Sequence, residues 1–162
     1  MRNKYFMKIK IATVQFRIEH HQQEVNLRRI ENFIKNASSE EANIIVFPEF
    51  FITGPIEGEK EYADTYREHK KVLADFARKY TIDIVTGSLV EMVDKKYYNT
   101  SYYINARGEI LGMHRKRHLW NTEIGYYTPG KDATVVNTLY GKIGILICWD
   151  MAFSDLWNKM FE

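Results

Sequence analysis

The short apolar run from Asn43 to Phe47 constrains the fold of this chain more than any other segment. Its side chains are apolar on both sides of an extended backbone, which is typical of a strand buried on both faces of a sheet. The run stops at Pro48, which cannot donate to a ladder of hydrogen bonds and therefore redirects the chain. A strand that is covered on both faces needs other layers above and below it, so the run predicts a layered α/β domain.

Helical and extended patterns follow one another around this run. Apolar spacing predicts helices from Glu24 to Ala37 and from about Tyr62 to Tyr80, strands from Met7 to Phe16, Ile82 to Val90, Lys95 to Asn105 and Glu109 to His114, a hairpin of Ala133 to Thr138 with Lys142 to Ile147, and a short final helix. The middle strands, joined by short turns, favour an antiparallel meander. Early helices and later strands together indicate an α/β fold with a mixed sheet.

Composition excludes several classes of protein. The chain has 162 residues, which fits one domain over positions 1–162, and its 23 Lys and Arg against 21 Asp and Glu give a net charge of only +2. That balance predicts no nucleic-acid partner, and no apolar run approaches the roughly 20 residues that span a membrane. The single cysteine cannot form an intrachain disulfide, and the N-terminus lacks the apolar core of a signal peptide. We therefore predict a cytoplasmic domain.

The single cysteine stands at the end of a strand. The run from Gly141 to Ile147 drives into Cys148, and a polar, turn-competent segment follows at once. A strand that stops at a lone cysteine and turns sharply is a common way to present a nucleophile. The alternative is a small buried hydrophobic residue, because structural cysteines are often buried.

Three other polar residues could serve such a nucleophile. Glu49 follows the buried strand, whereas Lys116 and Glu123 lie in a long irregular segment from Arg115 to Gly130. A glutamate can take the thiol proton and return it to a leaving nitrogen, and a lysine can stabilise a developing oxyanion. Each residue also has a plain structural interpretation, Glu49 as a turn carboxylate and Lys116 as part of a solvated basic run.

Local sequences around these residues resemble those of the nitrilase superfamily, the carbon–nitrogen hydrolases. The resemblance lies in Phe47-Pro48-Glu49-Phe50, His114-Arg115-Lys116-Arg117-His118-Leu119, Tyr127-Thr128-Pro129-Gly130 and Ile147-Cys148-Trp149-Asp150, which occur in that order, and in the opening strand Ile11-Ala12-Thr13-Val14-Gln15. It covers essentially the whole chain. It implies a four-layer α-β-β-α sandwich, a generally oligomeric protein, and no metal or organic cofactor.

The resemblance also implies roles for individual residues. Glu49 corresponds to the general base, Lys116 to the catalytic lysine, Cys148 to the nucleophile and Glu123 to a second glutamate that supports the lysine. The backbone N–H of Trp149 is expected to share the oxyanion with Lys116. Tyr126 and Tyr127, together with the turn region from Ile52 to Glu59, are expected to line the substrate pocket. The implied reaction is hydrolysis of an amide or carbamoyl amide through a cysteine thioester, with nitrile hydrolysis or acyl transfer to an amine as alternatives.

Two departures from the family pattern affect these expectations. Ser154-Asp155 stands where the family usually carries Pro-Glu, although Ser followed by Asp remains a plausible helix start. The chain also ends at Glu162, soon after the nucleophile, whereas family members continue through further strands and helices. We therefore expect the C-terminal part of the domain to be missing here. An uncovered sheet face would be completed by another copy or a complementing chain, and the alternative function is an inactive fragment or interaction subunit.

Overall fold

A computed structural model describes residues 8–65 and 68–161, so Met7, where the first strand is predicted to begin, lies outside the described residues. The strands are β1 (Ile11–Thr13), β2 (Ile44–Val46), β3 (Asp83–Val85), β4 (Leu89–Val93), β5 (Lys96–Ile104), β6 (Ile110–Arg115), β7 (Thr134–Thr138) and β8 (Gly141–Ile145). The α-helices are α1 (Gln23–Ser39), α2 (Glu68–Tyr80) and α3 (Ser154–Phe161), and short 3₁₀ helices span Lys60–Tyr62, Asn121–Glu123 and Cys148–Ala152.

The main sheet is mixed, as the sequence predicts. Strands β1, β2 and β3 are parallel neighbours, and β3, β4 and β6 each pair with β5 in the antiparallel sense. Strand β5 is nine residues long, so it can pair with β3 near its end and with β4 near its start. The meander of β4, β5 and β6 is confirmed.

The strand predicted from Ile82 to Val90 is interrupted. Val85 faces Tyr103 and Leu89 faces Thr100, so three residues between β3 and β4 oppose only two on β5. Gly87 sits in this bulge at a φ of +57°, and a Cβ placed there would lie 2.1 Å from the carbonyl oxygen of Pro48. Only glycine allows the segment before Glu49 to approach the sheet this closely.

Helices α1 and α2 cover one face of the main sheet and form its core. Ile30 and Leu73 belong to the same buried cluster as Ile45 and Ile84 of the strands. Helix α2 begins at Glu68, later than the predicted Tyr62, with Tyr66 and Arg67 outside the description.

The later start of α2 has a local cause. The carboxylate of Asp64 accepts hydrogen bonds from the backbone N–H groups of Glu68 (2.8 Å) and His69 (3.1 Å). These bonds satisfy donors that a first helical turn leaves free, so Asp64 marks the boundary. The preceding Lys60–Tyr62 turn is a separate 3₁₀ helix.

The hairpin of β7 and β8 lies on the opposite face of the sheet. On its inner face, Val136 and Ile145 pack against Tyr103 of β5. The outward face of the hairpin contacts α3, where Met160 lies beside Gly144. The layers therefore follow the order α, β, β, α. Some apolar side chains remain exposed on the surface of these layers, including Ile11 at 55% exposure and Ile110 at 41%. Within residues 8–65 and 68–161, none of the helices combines the length and the apolar composition that a membrane span requires.

Candidate active site

The four polar residues predicted from the sequence meet in one place. Glu49 follows β2, Lys116 follows β6, Glu123 ends a 3₁₀ turn and Cys148 follows β8, and all four line a cavity of about 290 Å³. The ammonium group of Lys116 lies 2.8 Å from a carboxylate oxygen of Glu49 and 2.7 Å from one of Glu123. The Lys116 side chain is only 1% exposed, which rules out the interpretation of a solvated basic run.

Two negative neighbours keep Lys116 charged in spite of its burial. Removal from water lowers the pKa of this lysine, but the hydrogen bonds from its ammonium group to Glu123 and Glu49 outweigh that effect, and the net pKa lies above the ordinary value. A permanent positive charge at this depth is suited to stabilising a negative charge that develops during a reaction.

Asn99 is a site residue that sequence reasoning missed. It is buried on β5, and its amide nitrogen donates to Glu49 at 2.8 Å and to Glu123 at 3.2 Å. The second glutamate is held further by the backbone N–H of Trp120 at 2.6 Å. Asn99 therefore fixes the distance between the two carboxylates that flank Lys116. The available signal was an Asn inside a run of Tyr and Thr, because Asn is depleted in strands.

Cys148 is presented at a sharp turn. Its φ of +45° is uncommon for a residue with a side chain. Cys148 is an exposed residue, and it lies at the cavity wall. Partial burial of the sulfur and the adjacent Glu49 carboxylate, which accepts a hydrogen bond from the thiol, raise the pKa of Cys148 above its ordinary value, and Lys116 offsets this only in part. The raised pKa favours the thiol form of Cys148 over the thiolate.

Asp150 is a second residue whose role the sequence did not reveal. It is fully buried, and one carboxylate oxygen accepts from the backbone N–H groups of Arg117 (3.1 Å) and His118 (2.8 Å). The other oxygen lies 2.9 Å from a ring nitrogen of His114 and 3.2 Å from the N–H of Ile147. Asp150 thus ties the turn that carries Cys148 to the segment that carries Lys116.

These contacts also determine the charge state of Asp150. Burial raises its pKa, but the hydrogen bonds from His114 and from the backbone of His118 and Ile147 outweigh burial, so the net pKa lies below the ordinary value. The carboxylate is therefore ionised at neutral pH and can accept all of its hydrogen bonds.

Aromatic rings form much of the remaining wall. Trp120 and Trp149 line the cavity and meet edge to face, with ring centroids 4.5 Å apart. Tyr127 also lines it, and its hydroxyl donates to the carbonyl of Ile56 at 2.5 Å, which holds the loop before Glu57. Tyr126 lies instead on a neighbouring cavity of about 240 Å³.

A family comparison agrees with this geometry. The model of the Carbon-nitrogen hydrolase family matches residues 10–162. The chain belongs to this family. Omega-amidase NIT3 of Saccharomyces cerevisiae is 32% identical over 174 residues, covering 92% of this chain and 58% of the relative. Omega-amidase NIT2 of Danio rerio is also 32% identical, covering 92% of this chain and 57% of the relative. The chain thus spans somewhat more than half the length of these relatives.

Solved structures of carbon–nitrogen hydrolases have the same fold. The crystal structure of Saccharomyces cerevisiae Nit3, a member of branch 10 of the nitrilase superfamily, matches with a TM-score of 0.82 at 33% identity and covers 91% of this chain and 58% of that one. A mutant amidase from Nesterenkonia sp. AN1, which carries the acetamide moiety of fluoroacetamide on its active-site cysteine, matches with a TM-score of 0.83 at 21% identity, over 91% of this chain and 58% of that one.

The segment Ser154-Asp155, which departs from the family pattern, directly follows the turn that carries Cys148. Helix α3 begins at Ser154, as predicted, and Asp155 forms an ion pair with Arg117 at 3.0 Å. Within the described residues, no group of three or more His, Cys, Asp or Glu side chains is arranged to hold a metal ion.

Proposed function

We propose that this chain carries the nucleophilic half-site of an amidase that cleaves the carbon–nitrogen bond of a small amide through a thioester on Cys148. One observation carries the proposal. The ammonium group of Lys116 is held between Glu49 and Glu123, beside the only cysteine of the chain and at the wall of the same cavity. A base, a nucleophile and a buried cation within one cavity are what acyl transfer requires.

The first half of the reaction uses Glu49 as a base and then as an acid. Glu49 accepts the thiol proton while the sulfur of Cys148 forms a bond to the amide carbon. Lys116 and the backbone N–H of Trp149 stabilise the resulting oxyanion. The carbon–nitrogen bond then breaks, and the leaving amine takes its proton from Glu49.

The second half restores the enzyme. Glu49 removes a proton from a water molecule as its oxygen adds to the thioester carbon. The carbon–sulfur bond breaks, the sulfur regains a proton from Glu49, and the carboxylic acid product departs. The raised pKa of Cys148 fits this sequence because proton transfer to Glu49 accompanies the attack and no preformed thiolate is needed.

The relatives support this reaction class. Two of them are omega-amidases, and the Nesterenkonia amidase bears a covalent acetamide group on a cysteine. The uncovered side chains of Ile11 and Ile110 support the further proposal that more polypeptide or another copy completes the domain. Cytoplasmic location and assembly with a second copy or a complementing chain stay predictions.

Two measurements test the proposal. Intact-mass spectrometry after incubation with fluoroacetamide is expected to show one acetamide adduct, on Cys148. Ammonia release from a panel of short amides is expected to disappear in Cys148→Ala. Met151→Leu is the matched control, since Met151 lies in the same turn but is 59% exposed and does not line the cavity of the four polar residues. Ammonia release that persists in Cys148→Ala, or a protein that is labelled but releases no ammonia from any amide, would overturn the proposal.

A further inference from the structure

A cavity distinct from the active site lies beside the end of β6, and we name it the Arg115 cavity. Its volume is about 330 Å³, and it shares no lining residue with the cavity beside Cys148. Successive side chains of an extended strand point to opposite faces of a sheet, so Arg115 and Lys116 line different cavities although they are neighbours in sequence.

The charged wall of the Arg115 cavity is mainly positive. It consists of Lys96, Arg115, Lys131 and one carboxylate, that of Asp132. Among the described residues, none of the three cations forms an ion pair with Asp132 or with another carboxylate. Exposed lysines without partners are ordinary on protein surfaces, so the two lysines alone would not indicate a site.

Arg115 differs from a surface cation because its guanidinium group is held in place and lacks an acceptor. Its Cζ lies over the ring of Tyr98, 3.7 Å from the ring centroid. The residue is half-buried, and its Nε is buried without a hydrogen-bond partner. No described residue accepts a hydrogen bond from its terminal nitrogens. Buried donors without acceptors are rare in folded proteins, so this arginine is suited to a ligand that supplies acceptor oxygens.

The loop that forms the other wall has a defined position. The N–H of Thr128 donates to the carbonyl of Tyr97 at 2.7 Å, and the N–H of Gly130 donates to the carbonyl of Lys116 at 2.8 Å. A Cβ at Gly130 would lie 2.1 Å from the carbonyl oxygen of Arg115, so only glycine lets the loop approach β6 this closely. The cavity is therefore built by backbone contacts on both sides.

We propose that the Arg115 cavity binds a small phosphate monoester. The planar fork of donors on Arg115 suits phosphate oxygens, and Lys96 and Lys131 add positive charge around it. Three cations and one carboxylate leave a surplus of two positive charges, which matches a dianion better than a carboxylate. The uncharged wall, which includes Met113 and Pro129, leaves room for the organic group of the ester.

The experiment measures binding of methyl phosphate by isothermal titration calorimetry at constant ionic strength, with acetate as the comparison anion. Arg115→Gln removes the fork of donors, Lys96→Gln removes one cation, and Asp132→Asn removes the single carboxylate. Lys142→Gln is the matched control, since Lys142 is also an exposed lysine but does not line this cavity.

Methyl phosphate is expected to bind saturably and about tenfold more tightly than acetate. Arg115→Gln should weaken its binding by about tenfold or more, because charge-assisted hydrogen bonds are lost. Lys96→Gln should weaken binding by about two- to fivefold, and Asp132→Asn should tighten it by a similar factor, as for partly exposed charge pairs. Lys142→Gln should leave the Kd unchanged.

Three results would overturn the inference. They are the absence of saturable binding up to about 20 mM methyl phosphate, acetate binding as tightly as methyl phosphate, and equal effects of Lys96→Gln and Lys142→Gln. Lys96 and Asp132 are exposed, so their variants test the site even if Arg115→Gln does not fold. A change of the same sign in Lys96→Gln and Asp132→Asn would also contradict the proposed site.

Discussion

Replacing Asp150 by asparagine perturbs the link between Cys148 and Lys116 with almost no change in volume. The carboxylate accepts from His114 and Ile147 on one oxygen and from Arg117 and His118 on the other. An asparagine side chain has only one acceptor oxygen, and its amino group can only donate. One side of this network must therefore lose its acceptor in Asp150→Asn.

The cost follows from counting the groups left without partners. Suppose that the amide oxygen of the Asp150→Asn side chain keeps the hydrogen bonds from the backbone N–H groups of Arg117 and His118. Its amino group then faces the backbone N–H of Ile147, and that N–H stays buried without an acceptor. An unsatisfied buried donor costs about 1–3 kcal/mol, and exchanging the charged hydrogen bond to His114 for a neutral one costs about 1 kcal/mol more. We expect a local loss of about 2–4 kcal/mol. Since a factor of ten in an equilibrium corresponds to about 1.4 kcal/mol, this equals roughly 30- to 700-fold.

Amide hydrogen exchange measures this loss where it arises. In Asp150→Asn, the backbone amides of Ile147, Arg117 and His118 are expected to exchange faster by the factor given above. Asp155→Asn is the matched control because it removes the same charge from a side chain that is 44% exposed, whose ion pair with Arg117 contributes at most about 1 kcal/mol. Its exchange rates should stay within about fivefold of the unmodified chain.

The pH dependence adds a second readout with a definite sign. The pKa of Asp150 lies below its ordinary value, so its ionised form stabilises the fold above that ordinary value, about 3.9, and the contribution is lost as pH falls through the lowered pKa. The difference between the unmodified chain and Asp150→Asn must therefore shrink in acid. Exchange rates in Asp150→Asn within threefold of the control at neutral pH, or a difference that grows in acid, would refute the reasoning.

Two further predictions concern the placement and the charge of Glu49. In Glu49→Gln, loss of the adjacent negative charge should lower the pKa of Cys148. The midpoint of a pH profile of Cys148 alkylation should therefore move to lower pH, although amide hydrolysis is lost. A midpoint that rises or does not move would contradict this prediction. Gly87→Ala should lower the free energy of unfolding in urea by at least about 2 kcal/mol, because φ is positive and a Cβ would strike the carbonyl of Pro48. Gly125→Ala, where the added Cβ meets nothing within 4 Å, should stay within about 0.5 kcal/mol, and equal effects of the two substitutions would contradict the steric explanation.

Local patterns along the chain were sufficient to predict most elements. Each kind of element has its own spacing of apolar residues, and this spacing indicates which side chains are buried. Examples are the apolar stripe of the first helix, the continuous apolar run of β2 and the alternation in the hairpin of β7 and β8. The chemistry of Glu49, Lys116, Glu123 and Cys148 could be predicted because the flanking motifs resemble a family. Their meeting at one cavity agrees with that prediction, while their individual catalytic roles stay proposals.

Element boundaries were less predictable because hydrogen bonds from distant or non-periodic residues set them. The carboxylate of Asp64 binds the first described backbone N–H groups of α2, and the apolar periodicity of the sequence contains no sign of these hydrogen bonds. The break between β3 and β4 contains Gly87, which lies close to the backbone of Pro48, a residue far away in the sequence.

The amino-acid sequence by itself determined the order of strands and helices and the residue types available for chemistry, because periodicity and turn residues act over a few positions. Only the tertiary structure decided that Lys116 is buried between two glutamates, that Asn99 spaces them, and that Asp150 holds the turn of the nucleophile. Each of these contacts joins residues from different strands or loops. Their existence depends on strand register and loop path, which follow from packing of the whole domain.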